Sequence, residues 1–430
     1  MSESQPAEDI PFQARAPAAS QNRDLFRVLE VSRQLAATPD LQTLLEIVEK
    51  SSLEVLDCER ASVFLHDRTT DELYSRVATG GQQVRFSTQA GIAGQVFRTG
   101  AVINVPDAYA DPRFNAAIDR RTGFRTRNLL TCPLFSWDNT ILGVLQLLNK
   151  RDGPFEAWHE ALAKTLSAQA GVAVQRQLLF EEIATKRRYE YNLAIARKIQ
   201  QGLLPKRSPS LEGFDIAGWS RPADETGGDF FDFQELSAGN LAITLADVAD
   251  HGIGPALLAA ECRALVRASW SHSGELDRIV SLVNQLLAAD VPDGGFVTAF
   301  FGLLQRTGNR LCYISAGQGP ILHFQETDGT VRELATQGVP LGLVPDFGYE
   351  VPVELTLSPG DLVVLLTDGF YEWSDAEGKQ FGTEKMRELI RLQHHLPAGD
   401  VIRTLHEAVL GFAGASPQRD DLTAVVIKKL

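Results

Sequence analysis

Cysteine is scarce in this 430-residue chain: Cys58, Cys132, Cys262 and Cys312 lie far apart and form no CxxC pair. Neither a zinc site nor a redox dithiol is therefore encoded, and a reducing cytoplasm suits them. Long apolar runs are also absent. The longest, such as residues 362–366, are strand-sized and far below the roughly 18–20 residues that span a bilayer. Positive charge is in deficit: 41 Lys and Arg against 55 Asp and Glu leave −14 at pH 7, which repels phosphate backbones and anionic lipid. Nucleic acid and membrane are not expected partners. The chain has no GxxxxGK[ST], HExxH, GxSxG or GxGxxG, so several enzyme classes lose support. No cysteine is followed six residues later by arginine, as cysteine phosphatases need. Phosphoester chemistry in this chain needs metals.

What is present has ordinary globular proportions, 44% hydrophobic and 22% charged, and 430 residues favour two or three folded units. Residues 1–24, rich in Pro, Ala and Ser, lack the basic start and apolar core of a signal peptide and read as a disordered leader. Leu25, Val28, Leu29, Ser32 and Leu35 form a helical stripe, and Asp40 caps a second helix carrying Leu41, Leu44, Leu45 and Val48. Strands are expected at 61–66, 74–78, 102–105, 129–135 and 141–148, the last two as a hairpin across Ser136-Trp137-Asp138-Asn139. That is an α+β domain, assigned to residues 25–178.

From Pro154 to Pro205 no proline intervenes, so one helix of about 48 residues, roughly 70 Å long, can run through this stretch. Its part from 179 to 207 serves as a linker. Leu179, Ile183, Leu193, Ala196 and Leu203 lie near coiled-coil spacing, with Lys186 and Gln200 interrupting the seam, which makes a parallel homodimer an expectation. Residues 208–430 group helices (255–269, 276–289) between strand runs (228–236, 240–248, then 296–305, 310–316, 361–367 and 422–428). The grouping argues for sheets sandwiched between helices.

Chemistry concentrates in aspartates at the ends of apolar strands: Asp229 in GGDFFD, Asp247 in LAITLADVADHG, Asp368 in LVVLLTDG, and Asp420 with Asp421 in QRDDLTAVV. One such aspartate beside a glycine is usually a turn former. Several meeting at one sheet edge can hold Mg²⁺ or Mn²⁺ and leave positions to water, which then acts as nucleophile without a catalytic side chain.

These segments resemble the metal-dependent PPM serine/threonine phosphatases, in the bacterial branch named after the sporulation phosphatase SpoIIE. The resemblance covers about residues 190–430 through IQQGLLP, ETGGDFFDF, ADVADHGIGPALLAA, FVTAFFGLL, YISAGQGP, PLGL, LTDGFYE and DDLTAVVI, in order. It implies a C-terminal αββα sandwich holding two Mn²⁺ or Mg²⁺ ions. It also implies Asp229, a bridging Asp247, the Val248 carbonyl, Asp368 and Asp420 as ligands, with Asp421 the less favoured of its pair. Thr226, Asp250 and Gln318 depart from the pattern without removing a ligand, and His251 stands as either a phosphoryl donor or a turn residue. The resemblance further implies a phosphorylated anti-sigma-factor antagonist of the STAS type as substrate.

The N-terminal part, over about residues 40–178, resembles a GAF sensor domain, an antiparallel sheet with flanking helices. The segments GIAGQVFRTGAVINVPDAYADPRFN and LGVLQLLNK carry the likeness. Asn149, Lys150, Phe155 and Glu160 match the spaced NK…F…DE signature of cyclic-nucleotide-binding members, with His159 in place of the aspartate. In that family a lysine–carboxylate pair buttresses the pocket, so Glu160 would have to replace the lost aspartate. A cyclic nucleotide or other small ligand and a ligand-free dimerisation module both remain open, with a redox or haem sensor third. Cys58 and Cys132 read as core residues. Two other functions compete with phosphatase activity. One is a catalytically silent scaffold. The other is a histidine-kinase-like ATP site, suggested by the D-x-G-x-G of Asp250 to Gly254.

Overall fold

A computed structural model describes residues 18–78, 84–236, 239–250, 252–271, 275–291, 294–349 and 351–430. Its contacts divide the chain into two compact units, Met1–Arg187 and Arg188–Leu430.

The first unit begins with helices α1 (Ala18–Ala37) and α2 (Leu41–Leu56), the second capped by the Asp40 carboxylate, which accepts the Thr43 N–H over 2.8 Å. Strands β1 (Cys58–Asp67), β2 (Glu72–Ala78) and β3 (Arg85–Ser87) follow, then α3 (Gly91–Thr99), β4 (Ile103–Val105), a short 3₁₀ turn (Ala108–Ala110) and α4 (Ala116–Thr122). The hairpin of β5 (Leu129–Phe135) and β6 (Ile141–Lys150) completes an antiparallel sheet of order β3-β2-β1-β6-β5-β4. One core joins Val28, Leu44 and Leu45 of the first helices to Val63, Cys132 and Leu145 of the sheet. A second holds Ile92 and Val96 of α3 with Phe64, Leu129 and Val144. Helix α5 (Ala157–Leu203) starts here, with Leu162, Leu166, Ala170 and Val174 in the first core, and runs 47 residues without a break.

The second unit contains β7 (Phe214–Arg221), β8 (Phe230–Glu235), β9 (Leu241–Val248), α6 (Ile253–Trp270), α7 (Leu276–Asp290), β10 (Val297–Gln305) and β11 (Arg310–Ala316). Then come β12 (Ile321–Gln325), β13 (Thr330–Leu334), β14 (Val353–Thr356), β15 (Leu362–Leu366), α8 (Gly369–Glu372), α9 (Thr383–Gln393), α10 (Ala398–Ala413) and β16 (Leu422–Lys429). Two five-stranded antiparallel sheets form, β14-β11-β10-β9-β8 and β13-β12-β15-β16-β7. Strand β15 shows why its run LVVLL is wholly apolar: Val363 and Leu365 point between the sheets, while Leu362, Val364 and Leu366 face the core under α9 and α10. The α6–α7 pair covers the other sheet through Val266, Ile279 and Val283. The result is the expected αββα sandwich.

Two sequence expectations change. The leader assigned to residues 1–24 yields to helix from Ala18, where the residue after Pro17 opens a run of Ala, Gln, Asn and Arg that carries no helix breaker; residues 1–17 lie outside the described residues. In α1, Val28, Val31 and Leu35 are buried while Leu29 is 65% exposed, because the contact stripe follows i, i+3, i+7. His251 lies outside the described residues.

Candidate metal centre

Antiparallel pairing places the end of one strand beside the start of its neighbour, and this is what gathers the aspartates. Asp229 immediately precedes β8, and Asp247 is the penultimate residue of β9; the two strands pair with Phe230 opposite Ala246. In the other sheet Asp368 follows β15 and Asp420 and Asp421 precede β16, whose partners include Leu366 opposite Ala424. Thr367 ties the two edges together: its Oγ1 donates to Asp229 Oδ2 over 2.8 Å and accepts the Thr423 N–H over 2.9 Å.

Asp421 is the hub of the loop before β8. Its carboxylate, 4% exposed, accepts the N–H of Ala223 (2.8 Å) and of Asp229 (3.3 Å). Asp420 is exposed and its Oδ1 accepts the Asp421 N–H over 2.8 Å. The division of labour favours Asp420 as the metal-facing member, since the Asp421 oxygens are committed to backbone. The loop can approach this closely only because a side chain is missing on each side. A Cβ on Gly227 would lie 2.3 Å from Asp421 Oδ2, and one on Gly369 would lie 2.1 Å from the Asp421 carbonyl.

Two further groups brace the edge, and neither was singled out as a site residue from the sequence. Gln318 is buried, accepts from Thr298 Oγ1 over 2.9 Å and donates to the Leu366 carbonyl over 2.9 Å. Thr298 sits opposite Asp247 in the β9–β10 register, so Gln318 links both sheets beside that aspartate. Gln200, near the end of α5, holds Gly227 like a strand partner: its Nε2 donates to the Gly227 carbonyl and its Oε1 accepts the Gly227 N–H over 3.0 Å. Arg197, one turn earlier, pairs with Glu225 over 3.2 Å. The motif IQQGLLP carried the clue to Gln200; nothing in the sequence ties Gln318 to Leu366.

The electrostatics are those of crowded like charges. Burial raises the Asp229 pKa well above the ordinary carboxylate value, with Asp247 and Asp421 adding to it. Burial first, then Asp368 and Asp420, lift Asp247 to about 7, and Asp247 shares a hydrogen bond with the Asp229 carboxyl. Asp368 is lifted to about 6 by burial, Asp420 and Glu372. Burial and neighbouring carboxylates are the leading causes that raise all three. Among the described residues no three His, Cys, Asp or Glu side chains converge tightly enough to form a ready-made cage. The donor set is nevertheless all hard oxygen, which suits Mg²⁺ or Mn²⁺. The Val248 carbonyl belongs to the same edge: a Cβ on the neighbouring Gly228 would lie 2.8 Å from it. Asp250, exposed at φ +77°, lies two residues beyond.

The signature residues of the first unit sit around the β1–β6 junction. Lys150 is buried and pairs with Asp57 over 3.1 Å, so the buttressing carboxylate expected of Glu160 comes from the C-cap of α2 instead. The cause is register, since Cys58 lies directly opposite Lys150. Glu160 accepts from Asn104 Nδ2 over 2.9 Å, and Asn104 also donates to the carbonyl of the buried Phe155. Asn149, at φ +59°, accepts the Arg127 N–H and donates to Glu59 and to the Arg125 carbonyl. His159 Nδ1 accepts the Glu156 N–H over 2.9 Å.

Comparison with known proteins follows the same division. The family described as Stage II sporulation protein E matches residues 237–429, and the GAF domain family matches residues 40–174. Protein IcfG of Synechocystis sp. is 25% identical over 258 residues, 54% of this chain and 40% of its own length. Phosphoserine phosphatase RsbU of Bacillus subtilis is 25% identical over 241 residues, 55% of this chain and 70% of its own. Among solved structures, the SiaA-PP2C domain of Pseudomonas aeruginosa aligns with TM-score 0.50 and 25% identity, covering 57% of this chain and 98% of that domain. This chain thus spans less than half the length of IcfG.

Proposed function

Because the chain joins a GAF domain to a SpoIIE-type phosphatase domain, we propose that it is a metal-dependent protein phosphatase acting on phosphoserine or phosphothreonine under control of its N-terminal unit. The observation that carries this reading is the set of carboxylates drawn from four strand termini to one edge of the sandwich, where burial and their mutual repulsion raise Asp229, Asp247 and Asp368. The similarity to a protein named phosphoserine phosphatase supports it.

In this reading Asp229, Asp247, the Val248 carbonyl, Asp368 and Asp420 hold two Mn²⁺ or Mg²⁺ ions. Bound there, the ions supply a water of lowered pKa and offset charge on the phosphoryl oxygens. The chain's own residues set the frame. Thr367 fixes the Asp229 carboxylate, Asp421 fixes the loop that delivers it, and Gln318 braces the strand carrying Asp247 through Thr298. No side chain acts as nucleophile.

The substrate is a phosphorylated STAS-type antagonist of an anti-sigma factor, in a cytoplasmic partner-switching pathway. Regulation passes along α5: a ligand or a dimer change in the GAF unit turns or orders the helix, and Gln200 conveys this to Gly227 and so to Asp229 and the segment around Asp247. Exposed Leu179, Phe180, Ile183, Tyr191 and Ile195 on α5 offer a face for a homodimer. The GAF ligand is a cyclic nucleotide or another small molecule. None of the described helices is long and apolar enough to cross a membrane.

A catalytically silent scaffold is the competing reading. One assay separates the two: hydrolysis of p-nitrophenyl phosphate and a phosphoserine peptide with Mn²⁺, with chelator, and by Asp368→Asn. Activity that needs metal and disappears with the substitution supports the phosphatase. Silence of the full chain and of residues 206–430 supports the scaffold, and metal-independent hydrolysis sinks the mechanism.

A further inference from the structure

Helix α8 is a single turn, Gly369–Glu372, and it starts directly after Asp368. The Asp368 carbonyl accepts the N–H of both Tyr371 (3.0 Å) and Glu372 (2.8 Å). The backbone of this aspartate therefore belongs to the turn, and a tilt of α8 re-aims its carboxylate. One turn cannot hold itself, because fixing its dihedrals costs more than its few hydrogen bonds return. Its orientation has to come from tertiary contacts.

Tyr371 supplies one. Its half-buried ring packs against the core under α9 and α10, and its hydroxyl donates to the Gly319 carbonyl over 3.0 Å. Gly319 lies in the turn between β11 and β12 and follows Gln318, whose Nε2 holds the Leu366 carbonyl. Consecutive residues of one turn thus grip the chain two residues before Asp368 and three residues after it. Register makes this possible: Ile321 lies opposite Leu365, so the residues before β12 run beside those after β15. The turn is itself fixed. Ser315 Oγ donates to the Gln318 carbonyl over 2.6 Å, the Ser315 carbonyl accepts the Gly338 N–H over 3.0 Å, and a Cβ on Gly319 would lie 3.0 Å from Thr336 Cγ2. Packing alone would be served by phenylalanine, as it is at the neighbouring Phe370, fully buried in the same core. What the hydroxyl adds is the bond to Gly319.

We propose that Tyr371 is a positioning residue for Asp368: its hydroxyl, anchored on Gly319, holds α8 so that the Asp368 carboxylate is set for a metal ion before one binds. The inference rests on the phosphatase reading and adds to it a residue that acts through a ligand and not on the substrate. Gln318 and Tyr371 are then two ends of one clamp, and the second end is a single hydrogen bond that can be removed without disturbing the ring.

The test measures Mn²⁺ binding to the full chain by isothermal titration calorimetry, the thermal midpoint in chelator, and kcat and KM for p-nitrophenyl phosphate. Tyr371→Phe should raise the Mn²⁺ dissociation constant about threefold to tenfold. At subsaturating Mn²⁺ it should lower kcat by a similar factor and leave KM unchanged. Tyr349→Phe is the matched control, since the Tyr349 hydroxyl donates to the Val339 carbonyl over 2.9 Å in the core under α6 and α7. It should lower the midpoint about as much as Tyr371→Phe does and keep Mn²⁺ affinity within about twofold of the parent. Unchanged affinity in Tyr371→Phe, or an equal loss in both variants, overturns the proposal and leaves the phosphatase reading standing. A Tyr371→Phe chain that fails to fold assigns the hydroxyl to stability and overturns it as well. If the parent binds Mn²⁺ but hydrolyses nothing, the phosphatase reading falls and the affinities alone judge Tyr371; a parent that binds no Mn²⁺ overturns both.

Discussion

Thr367 Oγ1 lies 2.8 Å from Asp229 Oδ2, a hydrogen bond between residues of different sheets that closes the sandwich at the edge where the acidic groups meet. The same hydroxyl accepts the Thr423 N–H, so one atom holds both β8 and β16 in place. Thr367→Val leaves a buried carboxylate and a buried N–H without this partner. We expect a loss of about 1–3 kcal/mol in the stability of the second unit and a fall of about tenfold or more in hydrolysis. Calorimetry and steady-state rates read the two effects, and Thr367→Ser should restore most of both. Full activity in the valine variant would show that the bridge is dispensable.

Gln200 and Arg197 sit on the same helix end and contact the same loop, but they are not equivalent. Gln200 makes two hydrogen bonds to one peptide unit, whereas the Arg197–Glu225 pair is solvent-exposed. Gln200→Leu should lower activity about tenfold and raise the Mn²⁺ concentration giving half-maximal rate. Arg197→Ala should change either quantity by less than about threefold, as an exposed ion pair contributes roughly 0–1 kcal/mol. Equal effects from the two substitutions would count against coupling through Gly227.

The acidic edge makes the stability of the metal-free protein depend on pH in a fixed direction. Asp247 and Asp368 have folded pKa values raised to about 7 and about 6 from an ordinary 3.8. Their contribution to stability is complete below about pH 4 and is lost as pH rises through 6 and 7. In chelator, the thermal midpoint of the second unit should fall between pH 5 and 8, and Mn²⁺ should flatten that slope by offsetting the ionised carboxylates. A midpoint that climbs with pH in chelator would contradict the assignment.

The first unit carries an independent titration. Glu49 of α2 is buried with its pKa raised to about 7, mainly by desolvation, and it accepts the Val63 N–H over 3.4 Å. Its stabilising contribution likewise disappears as pH rises through 7. Glu49→Gln keeps an acceptor for Val63 and removes the charge, so the unfolding midpoint of this unit should rise at pH 8 and lose most of its pH dependence. A variant that tracks the parent protein at every pH would place the titration elsewhere.

The elements legible in the sequence were those with two buried faces or a strong cap. The runs of β9 and β15 are continuous because both faces are packed, and Asp40 announced α2. Strand β13 stayed hidden because its five residues are exposed or half-exposed, and β12 because a buried His323 interrupts it. The aspartates stood out by their position after apolar runs. Their supports did not, for Gln318 reaches Leu366 and Lys150 reaches Asp57 across stretches of chain that only the folded register brings together. Glu160 failed as the lysine's partner for the same reason: its nearness in sequence says nothing of the β1–β6 pairing that puts Asp57 beside Lys150.

Strand β16 lies between β15 and β7, and the aspartates that precede it complete the acidic edge. On the ribosome, β7 emerges long before β16 and must wait, its inner edge unpaired, for a neighbour synthesised after every other described strand. A growing chain therefore carries this edge without Asp420 and Asp421 in place until this strand has left the exit tunnel and inserted, and the proposed hydrolysis waits for that step.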